Sequence, residues 1–176
     1  APIRLDPGYR SPMRVGVLGP LEVTSTDGSL LPVQGAKERL LLGILAAEAN
    51  RIVSVHRLVD LLWDGIPPST AVKTLQSHIA RLRAALEPAR PRGSSGRYVV
   101  RRGPGYALAV ERDEVDAVQF THFVARGRAR LAAGSPAEAR DEIAAALALW
   151  RGMPYADWPE AGFAEAERRK LTEVRV

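Results

Sequence analysis

The segment from Ser69 to Leu86 constrains the fold most, because it carries two opposite faces at helical spacing. Prolines precede it at 67 and 68 and follow it at 88, and proline does not continue a helix. Placed at 100° steps, the apolar residues form one stripe: Val72, Leu75, Ile79, Leu82 and Leu86. The opposite side is basic, polar and small: Lys73, Thr74, Ser77, Ala80, Arg81 and Ala84, flanked by Gln76, His78 and Arg83. We therefore predict a packed helix with an accessible basic face.

Charge is concentrated around this segment. The chain has a formal net charge of +5, but residues 69–106 alone carry eight basic residues and one acidic residue. Residues 1–110 carry 15 basic and 8 acidic residues, whereas residues 111–176 carry 10 and 12. A solvated basic face explains such an excess, and so does a surface that meets a phosphate backbone. Charge alone does not distinguish these two explanations, so the predicted fold is needed to choose between them.

The chain before this helix is expected to form a small sheet and two helices. Strands are predicted over 14–18, 21–25 and 30–33, with a turn at Asp27-Gly28. A first helix is predicted over 36–49, with apolar residues at helical spacing and Asn50 as its stop. After a short extended step at Ile52 and Val53, Ser54 is placed to cap a second helix through Trp63.

The chain after it changes character twice. Residues 97–101 and 106–110 alternate as two strands, joined by a turn at Gly103-Pro104-Gly105. From Glu111 onward, alanine-rich helices are predicted, the first capped by Asp116 and the second beginning at Pro136. Two antiparallel helices with a short connection resemble one unit of a tetratricopeptide array. We predict an α+β winged helix-turn-helix followed by an all-α, tetratricopeptide-like domain.

A winged helix-turn-helix places its third helix in the major groove of double-stranded DNA. Lys73, Gln76 and Arg81 are candidates for base or phosphate contacts, and Thr74 and Ser77 can hydrogen-bond to either. His78 lies on the flank of this face. Arg101 and Arg102 lie at the turn of the wing, where a guanidinium suits a narrow minor groove. Lys37 and Arg39 either meet phosphate or remain solvated.

Composition limits the alternatives. Without cysteine there are no disulfides or thiolate sites, and His56 and His122 are isolated on separate helices, so we predict no metal, no cofactor and no catalytic residues. No apolar run approaches the ~20 residues of a membrane helix, and the start of the chain does not look like a secretory leader. The expected location is the cytoplasm.

Several motifs resemble known regulators. The segment from Leu75 to Arg83, with Arg102-Gly-Pro-Gly-Tyr106, is similar to the recognition helix and wing of OmpR-type domains. More narrowly, three segments resemble the Streptomyces antibiotic regulatory protein family: residues 17–21, residues 61–64 with Pro67-Pro68, and residues 146–152. The resemblance spans residues 14–176.

This resemblance implies a transcription activator of a biosynthetic gene cluster. Residues 1–13 would be a flexible segment, 14–110 a DNA-binding domain, and 111–176 a bacterial transcriptional activation domain that we expect to continue past Val176. The family implies binding to direct repeats by head-to-tail dimers and recruitment of RNA polymerase. The loop between the second and third helices would touch the polymerase, through its sigma subunit: Asp64, Gly65, Ile66, Pro67 and Pro68. No receiver domain is present, so control by aspartyl phosphorylation is not implied.

Another class of function remains open. The helical domain could bind a protein or a regulatory ligand, with the winged helix serving as a packing module. That hypothesis expects a neutral third helix, and the predicted helix is basic. A hydrolase or transferase would need a nucleophile and a base at interpretable spacing, which the sequence does not offer.

Overall fold

The computed structural model describes residues 13–25, 27–91 and 95–175. The predicted flexible segment, residues 1–13, lies outside this range except for Met13, so its flexibility stays a prediction. The chain divides into two compact units. One contains Met13 and residues 23–110, and the other contains residues 14–22 and 111–175. Two short strands, β1 (Met13–Gly16) and β2 (Glu22–Ser25), begin the described chain.

The described residues of the first unit form three helices and a three-stranded sheet. The helices are α1 (Ala36–Ala47), α2 (Val55–Leu62) and α3 (Ala71–Leu86). The strands are β3 (Val53–Ser54), β4 (Val99–Arg102) and β5 (Gly105–Leu108). They are antiparallel in the order β3-β5-β4, with Val53 opposite Tyr106 and Arg102 opposite Gly105. This architecture confirms the predicted winged helix-turn-helix.

The apolar stripe of α3 differs from the prediction at its start. Leu75, Ile79, Leu82 and Leu86 are buried as expected, but Val72 is 52% exposed and Ala71 is buried instead. On a helical wheel these two residues flank the centre of the stripe by about the same angle, roughly 50° on either side. Periodicity therefore could not choose between them, and the neighbouring elements α1, α2 and β4 decide which flank is covered.

The wing is tighter than predicted. Its turn is Gly103-Pro104 alone, because Gly105 already belongs to β5 and lies opposite Arg102. A Cβ atom at Gly105 would lie 2.0 Å from the Val53 carbonyl oxygen, so only glycine fits there. The Pro104 carbonyl accepts a hydrogen bond of 3.0 Å from the Val55 amide, which ties the wing to the start of α2.

The predicted strand over 30–33 is reduced to one bridge, between Thr24 and Leu30. Leu31 still donates its amide to the Val23 carbonyl at 2.8 Å, but Pro32 follows and has no amide to extend the ladder. Before this bridge the Asp27 carboxylate accepts from the Ser29 amide and hydroxyl, at 2.9 and 2.7 Å. These bonds close the expected turn.

The second unit is helical, as predicted, and contains α4 (Asp116–Ala132), α5 (Pro136–Ala148) and α6 (Gly162–Arg175). Gly127 of α4 lets α5 approach closely, since a Cβ there would lie 2.8 Å from Ile143 Cδ1. Phe120 and Trp150 pack edge to face with ring centroids 5.3 Å apart. Leu131 and Leu147 of these helices are exposed.

Residues 14–22 run through the second unit and take the oxygens of Asp116. Its carboxylate accepts from the amides of Val17 and Leu18, at 2.8 and 3.0 Å. The predicted N-terminal cap by Asp116 is therefore wrong, because these amides occupy the carboxylate and α4 has no side-chain cap. Burial raises the pKa of Asp116, and the two amides and Arg151 only partly offset that effect.

Within the described residues, every helix falls short of what a membrane crossing requires.

Candidate nucleic-acid interface

The outer face of α3 is held outward by the burial of its other face. With Leu75, Ile79 and Leu82 packed inside the first unit, the side chains about 180° away must face solvent. The exposed residues are Lys73, Gln76, Ser77, Ala80, Arg81 and Ala84. Lys73 and Gln76 make no hydrogen bond or ion pair with any residue that the structure describes. Two long polar side chains are thus available to a ligand.

The hydroxyls of α3 are partly used by the helix itself. Thr74 Oγ1 donates to the Thr70 carbonyl at 3.0 Å, and Ser77 Oγ donates to the Lys73 carbonyl at 3.4 Å. Such bonds to the preceding turn are common for serine and threonine in helices. Each oxygen keeps lone pairs that can accept, whereas donation to a phosphate requires the hydroxyl to rotate.

His78 and Arg81 share a partner that the sequence analysis did not single out. Glu38, on α1, is only 6% exposed, and its Oε1 lies 2.9 Å from His78 Nδ1 and 3.5 Å from Arg81 Nη1. Burial opposes the charged form of Glu38, but hydrogen bonds from His78, the backbone and Arg81 outweigh it and lower its pKa. The side chain of His78 is 12% exposed, whereas that of Arg81 is 69% exposed.

A signal for Glu38 was present in the sequence. Glu38, Leu41, Leu42 and Leu45 follow the spacing i, i+3, i+4 and i+7, which is the pattern of one buried helix face. An acidic residue on an apolar stripe must find a partner, since an unpaired buried carboxylate is costly. That partner comes from α3, which the sequence pattern alone could not pair with α1.

The two candidates on α1 have different surroundings. Lys37 donates from Nζ to the Leu62 carbonyl and lies 5.4 Å from the centroid of the Trp63 ring. The Trp63 ring in turn lies 6.2 Å from the His78 ring. Lys37 is thus engaged at the end of α2. Arg39 is half-buried on the same helix.

The wing presents two exposed arginines that differ in their contacts. Arg101 donates to Tyr106 Oη at 3.2 Å and stacks over the Tyr106 ring at 5.4 Å, so its guanidinium is held against the sheet. Arg102 contacts only its neighbour's carbonyl, at 3.4 Å, among the bonds to described residues. Successive residues of a strand point to opposite faces. The freer of the two guanidiniums is that of Arg102.

Arg83 braces α3 against the wing. Its Nε donates to the Val99 carbonyl at 2.8 Å, and its guanidinium lies 6.0 Å from the Tyr106 ring. Desolvation lowers the pKa of Arg83, although the group stays protonated at any ordinary pH. The helix and the wing therefore form one connected surface.

Every residue of the loop from Asp64 to Pro68 is exposed, and backbone hydrogen bonds order the loop locally. Asp64 and Gly65 have φ angles of 51° and 75°, and Gly65 and Ile66 donate their amides to the Asp60 and Trp63 carbonyls at 3.0 Å each. Ile66 is 84% exposed, an unusual position for a large apolar side chain. The loop presents an apolar tip next to the start of α3.

Metal chemistry finds no support in the part of the chain that is described. Among residues 13–25, 27–91 and 95–175, no group of three or more His, Cys, Asp or Glu side chains could hold a metal ion. His56 pairs with Asp60 on its own helix, at 3.1 Å.

Two protein families match adjacent parts of the chain. Residues 33–108 match the family described as "Transcriptional regulatory protein, C terminal". Residues 115–176 match the "Bacterial transcriptional activator domain". The two matches fall within the first and second units, respectively.

Three curated relatives align with nearly the whole of this chain. The chain is 34% identical over 162 residues to the transcriptional regulatory protein EmbR of Mycobacterium tuberculosis, covering 92% of this chain and 41% of EmbR. It is 35% identical over 169 residues to the transcriptional regulator RedD of Streptomyces coelicolor, covering 92% and 47%. The regulatory protein AfsR of Streptomyces coelicolor is 30% identical over 164 residues, covering 93% and 16%. The chain therefore spans less than half the length of these relatives.

A solved structure supports the fold. The structure of Mycobacterium tuberculosis EmbR in complex with a low-affinity phosphopeptide superposes with a TM-score of 0.84 and 32% sequence identity, over 94% of this chain and 43% of that one. At this identity and coverage, the two units share their architecture with the matched part of EmbR.

Proposed function

We propose that this chain, which belongs to the Streptomyces antibiotic regulatory protein family of transcriptional regulators, binds direct repeats in double-stranded DNA and activates transcription by recruiting RNA polymerase. Residues 14–110 would bind DNA, and residues 111–176 would form the activation domain, with residues 14–22 packed in the helical unit. The expected regulated genes are a biosynthetic cluster, and the expected location is the cytoplasm, where bacterial DNA lies. No enzymatic activity belongs to the proposal, since both matched families are transcriptional regulators.

The observation that carries the proposal is the basic outer face of α3 beside a basic wing. The face has no acidic residue of its own, and its small residues Ser77, Ala80 and Ala84 leave room for close approach to a groove floor. A B-DNA major groove admits one α-helix at this depth. Base contacts from Lys73, Gln76 and Arg81 would specify the sequence, and phosphate contacts would fix the register.

Two protomers on a direct repeat would present the same face to the same side of the duplex. Repeats therefore should be spaced by about one helical turn, roughly 34 Å, with the protomers head to tail. Footprinting on duplexes with altered spacing tests this arrangement. We expect protection of both repeats at about 10 or 11 base pairs and loss of joint protection when five base pairs are inserted, since that rotates one site to the far side.

The proposed polymerase contact is the loop Asp64 to Pro68, with Ile66 at its tip. Its exposure and its hydrogen-bonded backbone favour a protein contact, and we propose that the contact is with the sigma subunit. In a purified transcription system, Ile66→Ser should lower transcript yield about threefold or more while operator affinity persists, because a tip contact of about 1 kcal/mol is lost. Ile52→Ser is the matched control, since Ile52 is an exposed apolar residue of the same unit. Equal loss of binding and transcription by Ile66→Ser would contradict the loop's role.

A further inference from the structure

We propose that Glu38 is a specificity-determining positioning residue of this DNA interface. Its carboxylate, on α1, holds His78 and Arg81 of α3 in fixed positions and withholds part of the positive charge of Arg81 from phosphates of unrelated sequence. The proposal rests on the proposed DNA-binding function and deepens it. Glu38 is not one of the candidate DNA contacts, because it lies on α1 and not on the outer face of α3.

The geometry requires that Glu38 accept from both partners. An ionised carboxylate has only acceptor sites, so the 2.9 Å contact with His78 makes Nδ1 the donor. In a neutral ring this bond fixes the tautomer, leaving Nε2 with its lone pair. The lowered pKa of Glu38 agrees with a carboxylate that stays charged at neutral pH. His78 is further confined by the Trp63 ring, 6.2 Å away.

The contact with Glu38 restrains Arg81 but leaves most of its hydrogen-bond donors available. Only Nη1 faces Glu38, at 3.5 Å, and the Arg81 side chain remains 69% exposed. A guanidinium carries five N–H donors in a rigid fork, so several remain for a base edge or a phosphate. Reading a guanine needs two of these donors at fixed positions, whereas attraction to a phosphate needs only charge. A carboxylate at Nη1 restrains the guanidinium and leaves the Nε and Nη2 donors for a base edge, so it favours the first type of contact over the second.

The test compares two DNA probes. One is a duplex selected from a random-sequence pool by the wild-type protein, and the other is the same duplex with its sequence scrambled. Glu38→Gln keeps the size of the side chain and one acceptor oxygen but removes the charge. We expect affinity for the scrambled duplex to rise about threefold and affinity for the selected duplex to fall about threefold, so that their ratio falls about tenfold.

Glu48→Gln is the matched control. Glu48 follows α1 in the same unit and pairs with Arg51 and Arg57 at 3.5 and 3.1 Å, so the variant changes the net charge equally without touching α3. It should change both affinities by less than about twofold and in the same direction, because a distant charge is screened. A tenfold drop in the ratio for Glu38→Gln alone supports the positioning role.

Other outcomes overturn the proposal. An unchanged ratio in Glu38→Gln contradicts it, whether the two affinities stay the same or change by the same factor. If Glu38→Gln does not fold, Glu38→Asp is the second variant. It keeps the carboxylate but shortens the side chain by one methylene, which moves the charge away from His78 and Arg81. Its ratio should then fall without a gain on the scrambled duplex, and an unchanged ratio contradicts the proposal. A wild-type protein that prefers no duplex would instead overturn the DNA-reading function itself.

Discussion

Helices α3 and α6 are both rich in basic residues, yet they use that charge differently. On α6, Arg169 pairs with Glu165 at 3.3 Å, Lys170 pairs with Glu167 at 3.4 Å, and Arg168 donates to the Trp158 and Pro159 carbonyls. The α3 sequence contains no acidic residue. The acidic group that contacts the outer face of α3 is Glu38, which comes from another helix and contacts His78 and Arg81.

The difference teaches what separates a solvated basic helix from a nucleic-acid surface. Neighbouring acids at i+3 or i+4 neutralise a basic side chain locally and lower its attraction to phosphate. Where such acids are missing, the charge is available, and its field reaches about one Debye length, roughly 8 Å at physiological salt. The number of basic residues in a helix does not show whether their charge is available. The acidic partners of those residues do show it.

The strongest test of this difference is to give α3 an acidic neighbour at i+4, as α6 has. In Ser77→Glu, the new carboxylate lies four residues from both Lys73 and Arg81 and faces the expected phosphates. Operator affinity, measured by fluorescence anisotropy, should fall about 100-fold, since a like charge at a binding surface costs about 3 kcal/mol. Ser77→Ala should stay within about threefold of wild type. Equal effects of both substitutions would show that charge on this face is unimportant.

A matched pair of arginine removals gives the next largest effect. Arg81→Ala should weaken operator binding by about 1 to 3 kcal/mol with no loss of helical circular dichroism, because an exposed contact is removed from a stable helix. Arg169→Ala removes the same group from α6 and should leave binding unchanged. If the α6 variant binds as weakly as the α3 variant, the distinction between the two helices fails.

The smallest expected effect comes from the wing. Arg102→Ala should weaken binding by about 1 kcal/mol or less and lose any preference for A/T-rich flanks, whose narrow minor groove attracts a guanidinium. Arg101→Ala serves as the comparison, since Tyr106 already holds Arg101 against the sheet. Parallel titrations on duplexes with A/T-rich and G/C-rich flanks measure the difference. A stronger flank effect from Arg101 would reverse the assignment.

Periodicity predicted the helices and the outer face of α3 because each depends on residues close in sequence. It predicted α3 through Leu86, and the structure places its last residue there. Val72 was misplaced because the flank of a stripe is covered or exposed by neighbouring elements. The wing turn was predicted one residue too long, because the close approach of the Val53 carbonyl to Gly105 is a contact between distant segments.

Contacts between distant segments also account for what the sequence analysis missed in the site. Glu38 is separated from His78 by 40 residues, and no local pattern pairs them. Residues 14–22 group with the helical unit through Asp116, about 100 positions later in the chain. The positions of the DNA-contact and polymerase-contact residues are compatible with those roles, which stay predictions.

The salt dependence of operator affinity tests most directly whether the exposed charges of α3 and the wing meet phosphate. Each neutralised phosphate contributes about −0.9 to the slope of log affinity against log salt. With contacts from residues such as Lys73, Arg81 and Arg102, a slope of about −3 is expected per protomer, and Lys73→Ala should make it shallower by about one. A slope close to zero, or one that only substitutions in α6 change, would contradict the account.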